Sequence, residues 1–195
     1  MYNNTSLKII EQVYLNKEIH KRELARKLKI GMPSVDYALK KVDFLLKRRK
    51  VGNQLHFSLD YSNVELVPFL YMIETKRLNS LPQNIKNSAI NFLIDLRSKP
   101  LISVIFGSYA KGNYTKDSDI DLFLVFQKVN EKEIENSVKK ISLAFNTKIA
   151  PVYLDYENFK KSYHEENKEF FSKLKANKIF LNGIEWWREV ENESS

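Results

Sequence analysis

The chain has 195 residues, 43 % hydrophobic and 12 % aromatic, with no cysteine; a wholly disordered chain, a disulfide scaffold and a Cys-ligated zinc site are excluded. Its longest apolar run, residues 66–73 with Pro68 inside it, is too short to span a bilayer, and the opening MYNNTSLKII lacks a basic stretch followed by a long apolar one, so no membrane association and a cytoplasmic location are expected. The formal net charge of +8 is lopsided: residues 1–60 hold 13 Lys and Arg against 6 Asp and Glu, and the remainder holds 19 against 18. A basic first third on a nearly neutral body points to a module that meets a polyanion.

In chain order, Leu7, Ile10, Val13 and Tyr14 recur at helical spacing and predict a first amphipathic helix. A second short helix is expected over 21–28, with Leu24, Ala25 and Leu28 inward. Gly31 stops it, and Pro33 suits the first turn of a third helix, expected to run from 33 to 46. Val35, Leu39, Val42 and Leu46 form its inner stripe. Ser34, Asp36, Tyr37, Lys40 and Lys41 fall largely on the other side. Next comes KRRKVGNQLHFSLD, where Gly52-Asn53 signals a two-residue hairpin and Leu55, Phe57 and Leu59 alternate as a half-buried strand should.

Two helices joined by a tight turn and followed by a hairpin resemble the winged helix-turn-helix family, carried by RELARKLKIGMPSVDYALKKVDFLLKRRKV. The resemblance implies a third helix that enters the major groove of DNA, with Ser34, Tyr37, Lys40 and Lys41 toward base edges. Lys47, Arg48, Arg49 and Lys50 on the wing would meet phosphate, in DNA or RNA.

One helix is expected within 63–81, starting near Val67, since proline is tolerated in a helix only in the first turn, with Phe69, Leu70, Ile73 and Arg77 following at helical spacing. LNSLPQN, with Pro82, marks a boundary, and a further helix fits 85–96 on Ile85, Ala89, Phe92 and Leu96. These breaks divide the chain into 1–61, a linking segment 62–82 and a second domain 83–195.

The informative stretch is LISVIFGSYAKGNYTKDSDIDLFLVF, residues 101–126. A buried-type strand over 101–106 leads into Gly107-Ser108 and a short helical turn. A second strand opens at about Asp119, with Ile120, Leu122, Leu124 and Phe126 on one face and Asp119 and Asp121 on the other. Carboxylates at i and i+2 on one strand face repel each other unless a cation sits between them, and Mg²⁺ accepts hard oxygen ligands while keeping sites for phosphate and water. The Gly107 turn permits close backbone approach, and Ser108 with the amides after it can hold an anionic phosphate. Gly107 to Gly112 has P-loop spacing, but Asn113-Tyr114 stands where Lys-Ser/Thr is required.

GSYAKGNYTKDSDIDLFLVF resembles the signature of the DNA polymerase β-like nucleotidyltransferases, closest to the small, minimal members. The implied fold class is α+β: an N-terminal winged helix-turn-helix plus a polymerase β-like nucleotidyltransferase domain, a mixed sheet with flanking helices. The resemblance assigns Asp119 and Asp121 to metal binding and catalysis, and Gly107, Ser108, Lys111 and Gly112 to the nucleotide. It implies one or two Mg²⁺ ions, with Mn²⁺ able to substitute, and a nucleoside triphosphate such as ATP. A third acidic residue is common in the family on a neighbouring strand. After a helix expected over 131–145, the next strand, KIAPVYL, holds no acid. Asp155 at its end is the candidate, and Asp117, in phase with 119 and 121, is another.

A helix is expected over 159–175, then a short strand, a turn at Asn182-Gly183 and a final helix; Trp186 and Trp187 are expected to pack. His20, His56 and His164 show no metal spacing, and the tail ENESS is expected to fray. The activity implied is transfer of a nucleoside monophosphate to a hydroxyl acceptor. The alternative is a DNA-binding regulator or antitoxin-like protein whose nucleotidyltransferase domain is weakly active or senses nucleotide. Resemblance to small nucleotidyltransferases of toxin–antitoxin pairs adds a protein partner, or a homodimer, to the expected partners.

Overall fold

The computed structural model describes residues 4–164 and 168–192, and the side chains of Asn4, His164 and Lys168 are outside that description. Of the tail ENESS, residues 191–195, expected to fray, Glu191 and Asn192 are helical and 193–195 lie outside the described residues, as do the stretch of the expected helix over 165–167 and the His164 side chain. The chain forms two compact units, Met1–Ile73 and Glu74–Ser195.

The first unit opens with α1 (Asn4–Asn16), whose Ile9, Ile10 and Val13 are fully buried. A three-residue strand, β1 (Glu18–His20), follows at once and leads into α2 (Lys21–Leu28), capped by the His20 Nδ1 accepting the Glu23 N–H. Lys29 in the left-handed conformation closes α2, and Gly31 and Pro33 start α3 (Met32–Lys41). Val35, Ala38, Leu39 and Val42 are buried as the stripe predicts, but the helix ends at Lys41 rather than at 46. A 3-10 turn over Asp43–Leu45 intervenes, and Leu46 already opens β2 (Leu46–Val51). β2 pairs antiparallel with β3 (Gln54–Leu59) across the Gly52 turn, and β3 pairs on its other side with β1. β1 has no alternation of its own to announce it. It exists because β3 offers it a free edge.

α4 (Leu66–Asn79) has Pro68 in its first turn, as proline chemistry demands. Its Glu74 is 1 % exposed, yet it is answered on both oxygens, by Arg77 at 2.7 Å and by the Phe180 N–H at 2.7 Å.

The second unit is built on a four-stranded mixed sheet in the order β6-β5-β4-β7, from β4 (Ile102–Ile105), β5 (Ile120–Phe126), β6 (Ile149–Asp155) and β7 (Ile179–Asn182). β5 runs antiparallel to β4 and parallel to β6, and β7 is antiparallel to β4. The parity of β5 is as predicted. Ile120, Leu122, Leu124 and Phe126 enter one core with Ile85, Ala89 and Phe92 of α5 (Gln83–Asp95) and Ile134 and Ile141 of α7 (Glu131–Phe145). On the other face Phe123 meets the rings of Phe159, Phe170 and Phe171 at 5.8 to 5.9 Å between centroids. These belong to α8 (Tyr156–His164) and α9 (Lys168–Ala176). α10 (Ile184–Asn192) closes the unit: Trp187 is buried among Phe159, Tyr163 and Phe180, and Trp186 meets Tyr156 edge-on. The turn before α10 needs glycine, since a Cβ on Gly183 would stand 2.1 Å from the Leu101 carbonyl oxygen. With both faces of β5 covered along most of its length, polar groups are left to its N-terminal end, where Asp119 and Asp121 stand.

Candidate active site

The site is set by the crossing from β4 to β5. β4 ends at Ile105, and the Phe106 N–H donates to the Asp121 carbonyl at 3.0 Å, tying the two strands at this level. The chain then turns through Gly107, at φ +66°, into the single-turn helix α6 (Gly107–Lys111), which Gly112 closes at φ +77°. Both glycines hold backbone angles that side chains resist. Gly107 is also sterically fixed. A Cβ built on it would lie 1.9 Å from Asp121 Oδ2, so the Asp121 carboxylate occupies the space that any other residue would fill. Gly107 therefore stands directly against the second aspartate.

Asp119 and Asp121 both face away from the Ile120 core, half-buried. Burial pushes the Asp121 carboxyl above its usual range, the neighbouring Asp119 charge adds to this, and Lys111 opposes it. Two carboxylates share one strand face, and Asp121, raised by burial and by Asp119, resists ionisation. That arrangement calls for a cation, and hard carboxylate oxygens suit a divalent one. The two aspartates are the residues that would hold it. Among the described residues no group of three or more His, Cys, Asp or Glu side chains is close enough to hold a metal.

A nucleotidyltransferase domain model matches residues 86–194, more than half of the chain. The chain belongs to the nucleotidyltransferase family. Nucleotidyltransferase domains generally use divalent metals and a nucleoside triphosphate, consistent with the carboxylate pair. Among solved structures, a toxin–antitoxin with AMP-PNP is 18 % identical over 55 % of this chain and 81 % of that one, with a TM-score of 0.41. A mutant of the toxin–antitoxin MntA-HpeT is 17 % identical over 55 % of this chain and 90 % of that one, with a TM-score of 0.32. No curated protein sequence matches the chain.

Asp155 does not stand beside the Asp119–Asp121 pair. In the parallel register of β5 and β6, Asp121 stands beside Ala150 and Phe126 beside Asp155. Five residues of strand, about 16 Å, separate Asp155 from the level of Asp121. Its carboxylate instead caps α8, accepting the Asn158 N–H at 2.9 Å and the Asn158 side-chain amide at 2.7 Å. That cap also starts α8 at Tyr156, three residues before the helix expected from 159. Asp117 is exposed in the loop before β5.

What the sequence did not single out is Lys148, whose Nζ lies 2.6 Å from Asp119 Oδ2 across the β5–β6 edge. A cavity of about 820 Å³ opens beside this pair. Asn84, Tyr114, Ser118, Asn146 and Thr147 line it, and Tyr114 stacks on Tyr109 at 4.6 Å. These lining residues come from three separate stretches of chain, and no local pattern links them.

In the first unit, Ser34, Tyr37, Lys40 and Lys41 are all exposed on α3, with the Lys41 ammonium 4.5 Å from the centre of the Tyr37 ring. Lys47, Arg48, Arg49 and Lys50 are exposed along β2. Three of these four cations are already answered: Arg48 pairs with Asp43, Arg49 grips both oxygens of Glu18, and Lys47 lies 3.6 Å from Asp60. The Arg49 contact holds the Glu18 carboxyl below its usual range. Among the described residues Lys50 makes no ion pair. No described helix is long and apolar enough to cross a membrane.

Proposed function

We propose that the protein transfers a nucleoside monophosphate from a nucleoside triphosphate to a hydroxyl acceptor, with Mg²⁺ or Mn²⁺ held by Asp119 and Asp121. The observation that carries this reading is the seating of the Asp121 carboxylate in the space a Cβ on Gly107 would take, with Asp119 beside it on the same strand face. In this reading Gly107 lets the triphosphate approach the carboxylate pair, and the Ser108 hydroxyl donates to a phosphate oxygen. Lys111, at the end of the same turn, balances anionic charge near Asp121, and Gly112 fixes the turn. A bound divalent ion supplies neutralisation of the charge that builds on the phosphoryl oxygens as pyrophosphate leaves.

The first unit is read as a winged helix-turn-helix that brings the acceptor or the whole protein to nucleic acid. The exposure of Ser34, Tyr37, Lys40 and Lys41 on α3 and the hairpin behind it support this. The domains would then be 1–61 for nucleic acid and 83–195 for transfer, joined through 62–82. A second reading, a nucleic-acid-binding regulator that senses nucleotide, gains from one observation: Asp155, the acid expected to serve as base, stands about five residues of strand away from the pair.

One experiment separates the two. The purified protein is incubated with Mg²⁺ and labelled nucleoside triphosphates, with and without DNA or RNA. Transfer of label that disappears in Asp119→Ala supports the enzyme. Nucleic-acid binding that survives Asp119→Ala, with no transfer under any condition, overturns it in favour of the regulator.

A further inference from the structure

The carboxylate pair has an asymmetric surrounding. On the β4 side, Asp121 is closed in by Gly107 and feels Lys111. On the β6 side, the register places Ala150 beside Asp121 and Val152 beside Phe123, and Lys148 lies one residue before the Ile120–Ile149 pair. The strand positions that share the face of the two aspartates therefore offer an ammonium, a methyl group and an isopropyl group, and no further oxygen ligand. The ammonium is engaged, at 2.6 Å from Asp119 Oδ2, while its side chain remains 77 % exposed against 32 % for Asp119. It is free to leave without disturbing any core.

The charge balance has a consequence. Two ionised carboxylates present two negative charges. Lys148 answers one of them before any divalent ion arrives, and Lys111 stands near the other. A bare divalent ion entering the site must displace an ammonium and finds little net negative charge to hold it. An ion that arrives with a polyphosphate brings its own anionic ligands, and the displaced ammonium gains a phosphate to turn to.

We infer that Lys148 is a built-in counter-cation that makes divalent-ion binding at Asp119 and Asp121 depend on the nucleotide, so that the site takes the metal–nucleotide complex and rejects the bare ion. Lys148 is in this sense a positioning residue. It acts through Asp119, setting when that carboxylate is available. Metal and nucleotide are then positively coupled, and by linkage each raises the other's affinity by the same factor. The inference rests on the carboxylate site proposed above and concerns its selectivity.

The test uses the full chain and Mn²⁺, followed by the loss of the free-ion signal in electron paramagnetic resonance at low salt, with and without a non-hydrolysable ATP analogue. For the unaltered protein the expected affinity for Mn²⁺ rises about tenfold or more when the analogue is present. Lys148→Ala is expected to bind bare Mn²⁺ about fivefold more tightly, as removal of an exposed competing cation allows, and the dependence on the analogue shrinks accordingly. Lys148→Arg is expected to restore the original dependence, which a merely structural role would not require. Equal bare-ion affinity in the unaltered protein and Lys148→Ala overturns the inference. So does an unaltered protein that binds Mn²⁺ equally with and without the analogue. If Mn²⁺ binding with the analogue is absent, or persists unchanged in Asp119→Asn with Asp121→Asn, the carboxylate site itself is refuted and the inference falls with it. If that binding is present and lost in the double variant, only the role of Lys148 is at stake.

Discussion

Two strands of this molecule carry runs of like charge, and they treat it in opposite ways. β2 bears Lys47, Arg48, Arg49 and Lys50, yet the pleat sends alternate side chains to opposite faces, and three of the four meet an acid within their own unit. At the head of β5, Asp119 just before the strand and Asp121 within it stand two residues apart on one face, and a glycine packs against the second. In the hairpin, like charges are dispersed and answered. At the head of β5 they are concentrated on one face, with an exposed lysine, Lys148, as the counter-charge in contact with Asp119. Charge that a fold goes to lengths to neutralise is mostly structural, whereas charge it crowds together needs something from outside. Surface basicity in the first unit is therefore a weaker pointer to function than its sequence count suggests, and the carboxylate pair is a stronger one.

The contrast can be broken most severely at Gly107. Gly107→Ala places a methyl group on Asp121 Oδ2 and forces a side chain into positive φ, and label transfer is expected to fall by about 100-fold or more. Near-normal transfer would mean that the Asp121 carboxylate need not sit there. Glu74 sharpens the same contrast from the other side, because it is a buried acid that the fold satisfies completely. Glu74→Ala leaves the Phe180 N–H without its side-chain acceptor and Arg77 without its carboxylate, with only the Lys178 carbonyl retained, and chemical denaturation should show a loss of about 3–5 kcal/mol. A loss below about 1 kcal/mol would show that water replaces the carboxylate.

On the basic strand the expected effects are smaller and graded. Reversing charge across Lys47–Lys50 is expected to weaken nucleic-acid binding and flatten its salt dependence, by roughly one unit of slope for each phosphate that is no longer neutralised. Lys50→Ala should reduce that slope, while Arg49→Ala should reduce it less, since Glu18 already holds the guanidinium. Equal slopes for the two variants, read from titrations at several salt concentrations, would remove this distinction.

The smallest effect is on stability. Because burial and Asp119 raise the Asp121 pKa in the folded state, the contribution of Asp121 is favourable below its ordinary carboxylate range and is lost as pH rises through the raised value. At pH 7 the ionised group is a net cost to the metal-free fold. Asp121→Asn is therefore expected to raise the melting temperature of metal-free protein by a few degrees at pH 7, and to change it little well below pH 4. A lower melting temperature at pH 7 would show that the carboxylate is better solvated than its position implies.

The parts of the fold that follow from local pattern were legible in the sequence. The two faces of β5, the Gly107 turn, α7 and the proline-set start of α4 all follow from spacing and backbone chemistry over a few residues. What was not legible depends on pairing at a distance. Apolar spacing carries α3 on to 46, because Val42 and Leu46 continue it across a 3-10 turn into a strand, and spacing alone does not show where the hydrogen bonding changes. β1 is three residues long and owes its existence to the edge of β3. Asp155 looked like a site residue because it is the first acid after the right strand, but only the β5–β6 register reveals that it stands at the wrong end, where capping α8 claims its oxygens. Lys148 is hidden in the sequence for the same reason: nothing in KIAPVYL marks which residue will lie beside Asp119.

The most direct measurement is anomalous scattering from Mn²⁺ in crystals grown with a non-hydrolysable nucleoside triphosphate. A manganese peak bound by both the Asp119 and Asp121 carboxylates, with the triphosphate reaching the Gly107-Ser108 turn, is the predicted result. A triphosphate seated elsewhere, or manganese absent from that carboxylate pair, would contradict the account.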